Sequence, residues 1–322
     1  MNKYALVTGA GSGIGRDVSI TLLKNGFHVI LTGRNETSLR ESVSLAHEAG
    51  DHALVIPSDI TQPDSVIQLF GRIKAECGRL DLLFNNAGTI AFNSGTFANG
   101  GVFNYNTGSV LSGTGTLTNN SVLNMNISAM LPSVLLLVNN STVNLALATT
   151  LTITGNGTWN SGTINGPGDF AIDATGTLTL ATSTAKFFTA DILNAGTIDW
   201  QDGIFRFEDF KTITNNGTLL LSGNNLFQHG IPGAGVFINN GTVTKTSSGN
   251  TDLDVTTVEN NGTFNCNAGT ISNSNDVFNN NAGSFIRGSA TFDNITAFIN
   301  AGTIAPGNSP GILTMNGQEP FS

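Results

Sequence analysis

The sequence predicts two folds in one chain: an α/β start built on a parallel sheet of about four strands, then an all-β parallel β-helix. Three observations predict it. Apolar strands alternate with helical stretches as far as residue 85. A glycine-punctuated word then recurs about every 21 residues. Charge density also breaks: residues 1–90 hold 8 Lys and Arg against 9 Asp and Glu, a net charge of −1. Residues 91–322 hold 5 against 13, a net charge of −8 over more than twice the length. The predicted division is therefore 1–90 and 91–322.

Tyr4–Val7 reads as the first strand, running into Thr8-Gly9-Ala10-Gly11-Ser12-Gly13-Ile14-Gly15, with a helical pattern to about Asn25. Phe27–Thr32 is the second strand, Glu36–Ala49 a helix, Ala53–Pro57 the third strand, Asp64–Cys77 a helix with Pro63 near its start, and Leu80–Asn85 the fourth strand. Such alternation implies right-handed crossovers and a parallel sheet. In the glycine loop, Gly9 permits a tight turn, Gly13 lets backbone approach a pyrophosphate and Gly15 allows close helix–strand packing. The helix N-terminus presents free N–H groups to the phosphates.

Thr8-Gly9-x-x-x-Gly13-Ile14-Gly15, together with Asn85-Asn86-Ala87-Gly88 after Asp81-Leu-Leu-Phe84, resembles the short-chain dehydrogenase/reductase family. The resemblance implies a truncated Rossmann half that binds a dinucleotide through Thr8, Gly9, Ser12, Gly13, Ile14 and Gly15. Asp59 would stand at the adenine, and Asn85, Asn86, Ala87 and Gly88 would close the site. Relatives that use NAD carry an acidic residue at the end of the second strand; here Gly33-Arg34 stands there. A guanidinium suits a 2′-phosphate, so NADP is the implied cofactor and NAD the less fitting one; the alternative is an Arg34 that is simply solvated.

That family delivers its proton from a Tyr four residues before a Lys, with a Ser polarising the carbonyl. The two tyrosines here, Tyr4 and Tyr105, are followed four residues later by Thr8 and Ser109. No catalytic residue is assigned. The resemblance stops after the fourth strand, at about residue 90, so it implies weak NADP(H) binding and no hydride transfer. Strand four would be an exposed sheet edge unless something covers it.

From Ser94 onward short alternating runs of Val, Ile, Leu, Thr and Phe replace the helical pattern. The punctuating glycines Gly157, Gly176, Gly196, Gly217, Gly241, Gly262, Gly283 and Gly302 are spaced 19, 20, 21, 24, 21, 21 and 19 apart. A rung of that length fits three short strands and their turns, and the region gives about eleven rungs. Sandwiches and propellers need longer or differently spaced units. The Asn-Gly words predict positive-φ corners, and stacked Asn side chains predict amide ladders. Phe187-Phe188 and the phenylalanines of Phe205–Phe210 read as core packing.

The array, with its ending Asn300-Ala-Gly-Thr-Ile-Ala-Pro-Gly-Asn-Ser-Pro-Gly-Ile-Leu-Thr314, resembles the β-helical repeats of secreted bacterial adhesins and autotransporter-like surface proteins. The resemblance implies a glycan or surface ligand. Some β-helices cleave polysaccharides with paired carboxylates; the candidates are Asp169/Asp173, Asp199/Asp202 and Asp252/Asp254. The array's five cations form no cluster by spacing, His229 is isolated, and no repeated calcium nonapeptide occurs, so these charges read as solvated. Acidity argues against nucleic acid, and the longest apolar run, Leu131–Val138, is too short for a membrane span. Cys77 and Cys266 have no metal-type spacing, and no metal site is assigned. No signal peptide is evident, so the chain as written reads as cytoplasmic.

Phe84-Asn85-Asn86-Ala87-Gly88-Thr89-Ile90 fits both halves: it ends strand four and also matches Phe278–Gly283 and Ile299–Ile304. A junction inside a shared word is the mark of a recombined or assembled fusion. Three function classes follow: a structural or adhesive β-helix with a vestigial nucleotide-binding half, an NADP-dependent oxidoreductase, and a polysaccharide-active β-helix.

Overall fold

In the computed structural model the described residues are 2–322 except 87, 92–94, 107–108, 133–135, 208–209, 224, 230–234, 308–311 and 318–322. The chain opens β1 (Tyr4–Thr8), α1 (Gly13–Lys24), β2 (His28–Gly33), α2 (Glu36–Ser44), β3 (Ala53–Pro57), α3 (Pro63–Cys77) and β4 (Leu82–Asn85). All pairings are parallel, in the order β3–β2–β1–β4. Helix α3 starts on Pro63 and stops at Gly78, whose φ of 72° supplies the left-handed cap.

Two boundaries differ from the sequence expectation. The helix expected over Glu36–Ala49 ends at Ser44, because His47 takes a φ of 53° and a 3₁₀ turn, His47–His52, folds Gly50 back against Val43. The fourth strand begins at Leu82, two residues later than expected, since Asp81 caps the neighbouring strand through its Oδ2 acceptor to the Tyr4 amide at 2.8 Å.

Beyond β4 the chain winds into three-sided coils. β5 (Gly88–Ala91) begins a third face, β6 (Thr96–Asn99) the first face and β7 (Val102–Tyr105) continues the second. The first face is an eleven-stranded parallel sheet from β6 to Thr303–Pro306, matching the rung number read from the glycine period. The second face does not start afresh. β7 pairs with β4 in parallel, Leu82 opposite Val102 and Asn85 opposite Tyr105, so the α/β sheet and the solenoid's second face are one ladder. The edge that a truncated parallel sheet would expose is thereby covered.

Packing follows the same continuity. One side of the α/β sheet buries Ala5, Val7, Val29 and Leu31 with Leu23 and Leu39 of the overlying helices. The other side buries Leu6, Ile30, Ile56 and Leu83 beneath Leu69 and Ile73 of α3, and this core runs on into Phe103, Leu117 and Leu123 of the solenoid lumen. Strand side chains alternate in and out, which gives the alternation of half-buried and buried residues along most coil strands.

The amide ladders form, at two different corners. Asn99, Asn119 and Asn139 stack between the first and second faces, each Nδ2 donating to the next Oδ1 at 2.9 Å. Trp159 ends that column. From Asn194 onward a second ladder, Asn194, Asn215, Asn239, Asn260, Asn280 and Asn300, runs between the third and first faces with donor distances of 2.6–2.8 Å.

The corner glycines correct the expectation of positive φ. Among Gly157, Gly176, Gly196, Gly217, Gly241, Gly262, Gly283 and Gly302, only Gly283 has it, at 86°. A Cβ on Gly196, Gly217, Gly241 or Gly262 would lie 2.1–2.2 Å from a carbonyl oxygen one coil back, so these glycines exist for close stacking. The expectation of solvated charges also fails at Lys186 and Lys245, both fully buried. Phe188 and Phe205 are core residues as expected, while Phe210 is 72% exposed. No helix among the described residues is long and apolar enough to cross a membrane.

Candidate functional site

The β1–α1 turn is shaped by backbone. Gly9 and Gly13 adopt φ values of 63° and 51°, which an L side chain adopts only with strain. A Cβ on Gly15 would sit 2.3 Å from the Gly9 carbonyl oxygen and 2.7 Å from Asn86 Nδ2, so helix and strand ends touch there. Ser12 is extended at the helix N-cap without a side-chain capping bond, and the first turn of α1 carries no acidic residue. Its N–H groups are thus not engaged by the Ser12 side chain and face no competing carboxylate in that turn, as an anion site requires.

A residue overlooked in the sequence pins this loop. Arg16, one turn into α1, donates to the Gly11 carbonyl and to Ser42 Oγ at 3.0 Å, and pairs with Glu41 at 3.2 Å. Ser42 Oγ in turn donates to the Ala10 carbonyl at 2.7 Å. The only available signal was an Arg following the fingerprint, which by itself names no partner.

A cleft of about 370 Å³ opens beside the loop, lined by Gly9, Ser12, Arg34 and Asp59 together with Ser38 and Thr61. Thr61 donates to Asp59 through its hydroxyl at 2.7 Å and its amide at 3.0 Å. Those two bonds, aided by the Arg34 guanidinium nearby, hold the Asp59 carboxyl below its usual range. Beneath the cleft Thr8 ties two strand ends together: its hydroxyl donates to Asn85 Oδ1 at 2.7 Å and accepts from the Asn86 amide at 2.9 Å.

The structure therefore gathers Gly9, Ser12, Arg34 and Asp59 around one cleft, while Gly13 and Gly15 lie in the first turn of α1 and Thr8, Asn85 and Asn86 bond to one another. Ile14 lies 67% exposed at the helix start. Gly88 belongs to β5, paired opposite Ser109 in the solenoid's third face, and Ala87 lies outside the described residues. Backbone of the glycine turn, a guanidinium and a carboxylate thus share one cleft.

The tyrosines lie elsewhere. Tyr105 is buried in the lumen at 6% exposure, and burial pushes its phenol further above the usual value. Tyr4 sits at the start of β1 with its ring 5.2 Å from that of His28. The candidate carboxylate pairs scatter over the solenoid: Asp169 is on the third face, Asp199 on the first and Asp252 on the second. Among the described residues no group of three or more His, Cys, Asp or Glu is placed to hold a metal ion. The His229 side chain and residues 308–311 of the terminal motif lie outside the described set.

Residues 3–120 match the short chain dehydrogenase family model. The segment is 38% identical over 93 residues to trihydroxynaphthalene reductase of Colletotrichum orbiculare, covering 29% of this chain and 33% of that protein. It is 42% identical over 88 residues to 3beta-hydroxysteroid dehydrogenase of Mediterraneibacter gnavus, covering 27% and 32%. Among solved structures it is similar to menthone neomenthol reductase from Mentha piperita, 38% identical over 27% of this chain and 32% of that one, with a TM-score of 0.26. A metagenomic short-chain oxidoreductase in complex with NADP is 35% identical, covering 27% and 39%, with a TM-score of 0.26. The chain spans about a third of the length of the curated relatives it matches.

Proposed function

We propose that the short-chain dehydrogenase segment at the head of this chain is a nucleotide-binding remnant that takes NADP(H) weakly and transfers no hydride. The β-helix it is joined to acts as a structural or adhesive rod. The observation that carries this reading is the pairing of β7 on β4. A parallel reductase sheet would go on from β4 to build the nicotinamide and substrate side; here the next strand belongs to the solenoid, and the lumen buries Tyr105, the sole tyrosine beyond β1.

The cradle residues keep separate jobs. The α1 N-terminus and the loop from Gly9 to Gly15 would receive the pyrophosphate, Arg34 the 2′-phosphate and Asp59 the adenine edge. NADP supplies hydride chemistry when fully enclosed, and the residues present hold only its adenosine end. We place the functional boundary at about residue 90, with the joining of two unrelated sequences as its origin. The break in charge density and the shared Asn-Asn-Ala-Gly word support this. The repeat array's likeness to surface adhesins rests on its period and on the ending Asn300–Thr314.

The test is calorimetry and a catalytic screen on the full chain. NADP⁺ is expected to bind with a Kd near or above about 0.1 mM, NAD⁺ more weakly still, and NADPH is expected to stay unoxidised over a carbonyl panel. Steady NADPH oxidation with any ketone would replace this reading with that of an active oxidoreductase, the activity named for the relatives.

A further inference from the structure

The first face of the solenoid ends abruptly at β6. Its one partner among the described strands is Thr116–Asn119, and no described strand lies on the side toward α3. In that gap is a groove of about 460 Å³, floored by Val66, Ile67, Phe70 and Leu80 on one wall and by Phe97 and Asn99 on the other. It is large enough to take side chains of a bound polypeptide. Phe97 meets Phe70 at 5.8 Å, yet Ile67 remains 65% exposed.

The amide ladder gives the groove a chemical direction. Each Asn donates Nδ2 toward the C-terminal end, Asn99 to Asn119 and Asn119 to Asn139. The acceptor end therefore faces α3. There Asn99 Oδ1 receives only a long 3.3 Å contact from the Gly101 amide, although Asn99 is just 6% exposed. A carboxamide oxygen accepts two bonds, so one acceptor position stands open where the next coil's donor would sit.

We propose that the groove binds an extended strand of a separate polypeptide, parallel to β6, with the pattern apolar–any–Asn. The interface would continue the one already formed between β6 and Thr116–Asn119. Side chains two apart share a face of a strand, so an apolar residue opposite Phe97 enters the groove while the Asn two residues on donates to Asn99. This protein repeats that pattern along the same column: Phe97-Ala-Asn99, Leu117-Thr-Asn119 and Leu137-Val-Asn139. Lys74 and Arg79 line the same groove, so a carboxylate there would meet cations; an apolar side chain in place of the Asn would instead leave the acceptor unpaired.

The probe is a fluorescein-labelled peptide with the sequence of residues 112–121, titrated with the full chain by anisotropy. Its Asn119→Leu and Leu117→Ser versions are each expected to bind about tenfold or more weakly. Ile67→Glu in the protein, an exposed change that leaves folding intact by circular dichroism, is expected to abolish binding. Leu193→Glu, on a remote surface, is expected to leave it unchanged. Absence of binding up to millimolar protein, equal binding of the Asn119→Leu peptide, or retention in Ile67→Glu would each overturn the proposal. Retention in Ile67→Glu would place the peptide on another edge, such as Thr303–Pro306.

Discussion

Glycine does opposite work in the two regions of this molecule. In the β1–α1 loop Gly13 takes a φ of 51° and a Cβ there would meet nothing within 4 Å, so backbone direction alone demands glycine. At the solenoid corner Gly241 has an ordinary φ, but a Cβ would lie 2.2 Å from the Gly217 carbonyl oxygen. One glycine aims a chain at a ligand; the other lets one coil settle on the last. A repeated Gly in a sequence thus marks a constraint without saying which.

That difference can be broken by substitution. Gly241→Ala forces two coils apart and is expected to cost about 3 kcal/mol in urea unfolding. Gly13→Ala is expected to cost about 1–2 kcal/mol and to remove nucleotide binding. Equal costs, or a larger one at Gly13, would contradict the stacking role of the corner.

Fully buried and half-buried amide ladders offer the next contrast. Asn239 takes Nδ2 of Asn215 and gives its own to Asn260, both at 2.8 Å and fully buried. Asn239→Ala leaves two buried amides short of partners, an expected loss of about 2–3 kcal/mol. Asn124, in a ladder on the outer surface with bonds of 2.7 Å, can exchange its partners for water. Asn124→Ala is expected to stay within about 0.5 kcal/mol by the same measurement.

At the cleft, Arg34→Glu is expected to weaken NADP⁺ about tenfold or more and leave NAD⁺ little changed by calorimetry, since only the 2′-phosphate distinguishes them. An unaltered ratio would mean that the guanidinium is merely solvated.

The smallest effect concerns Lys186. Its ammonium donates to the carbonyls of Thr182 at 2.6 Å and Thr184 at 2.9 Å, and burial lowers its pKa to about 8 from an ordinary 10.5. Between those values the unfolded chain holds the proton that the folded chain has released, so this group's contribution to stability rises with pH across that window. Below about 8 both states are charged and the contribution is flat. Lys186→Met is expected to flatten the slope of Tm against pH between 8 and 10; an unchanged slope would assign it to other groups.

What the sequence told and hid divides along physical lines. The strand–helix alternation, the glycine fingerprint and the coil period are local or repetitive signals, and each reappears in the structure. The burial of Lys186 and Lys245 was hidden because period-two alternation in strands of three or four residues gives too few positions to fix which face points inward. The word shared at the junction is a match of sequence and not of position in the coil. Asn85-Asn86 turns from the second face to the third, whereas its later echoes at Asn280 and Asn300 turn from the third to the first. Identical words thus sit at different corners. The cleft was legible because one continuous segment, from Thr8 to Asp59, supplies most of it; Arg16 was not, because its partners Gly11 and Ser42 come together only after α1 and α2 pack.

Everything rests on β7 continuing the sheet at β4, where the Val102 amide donates to the Asp81 carbonyl at 2.8 Å. Hydrogen–deuterium exchange of residues 82–105 in the intact chain tests it most directly. Amides of β4 and β7 should exchange as slowly as those of Val122–Met125, the next strand of the same face. Complete exchange of β4 and β7 within seconds, while Val122–Met125 stays protected, would show that the two folds are merely tethered.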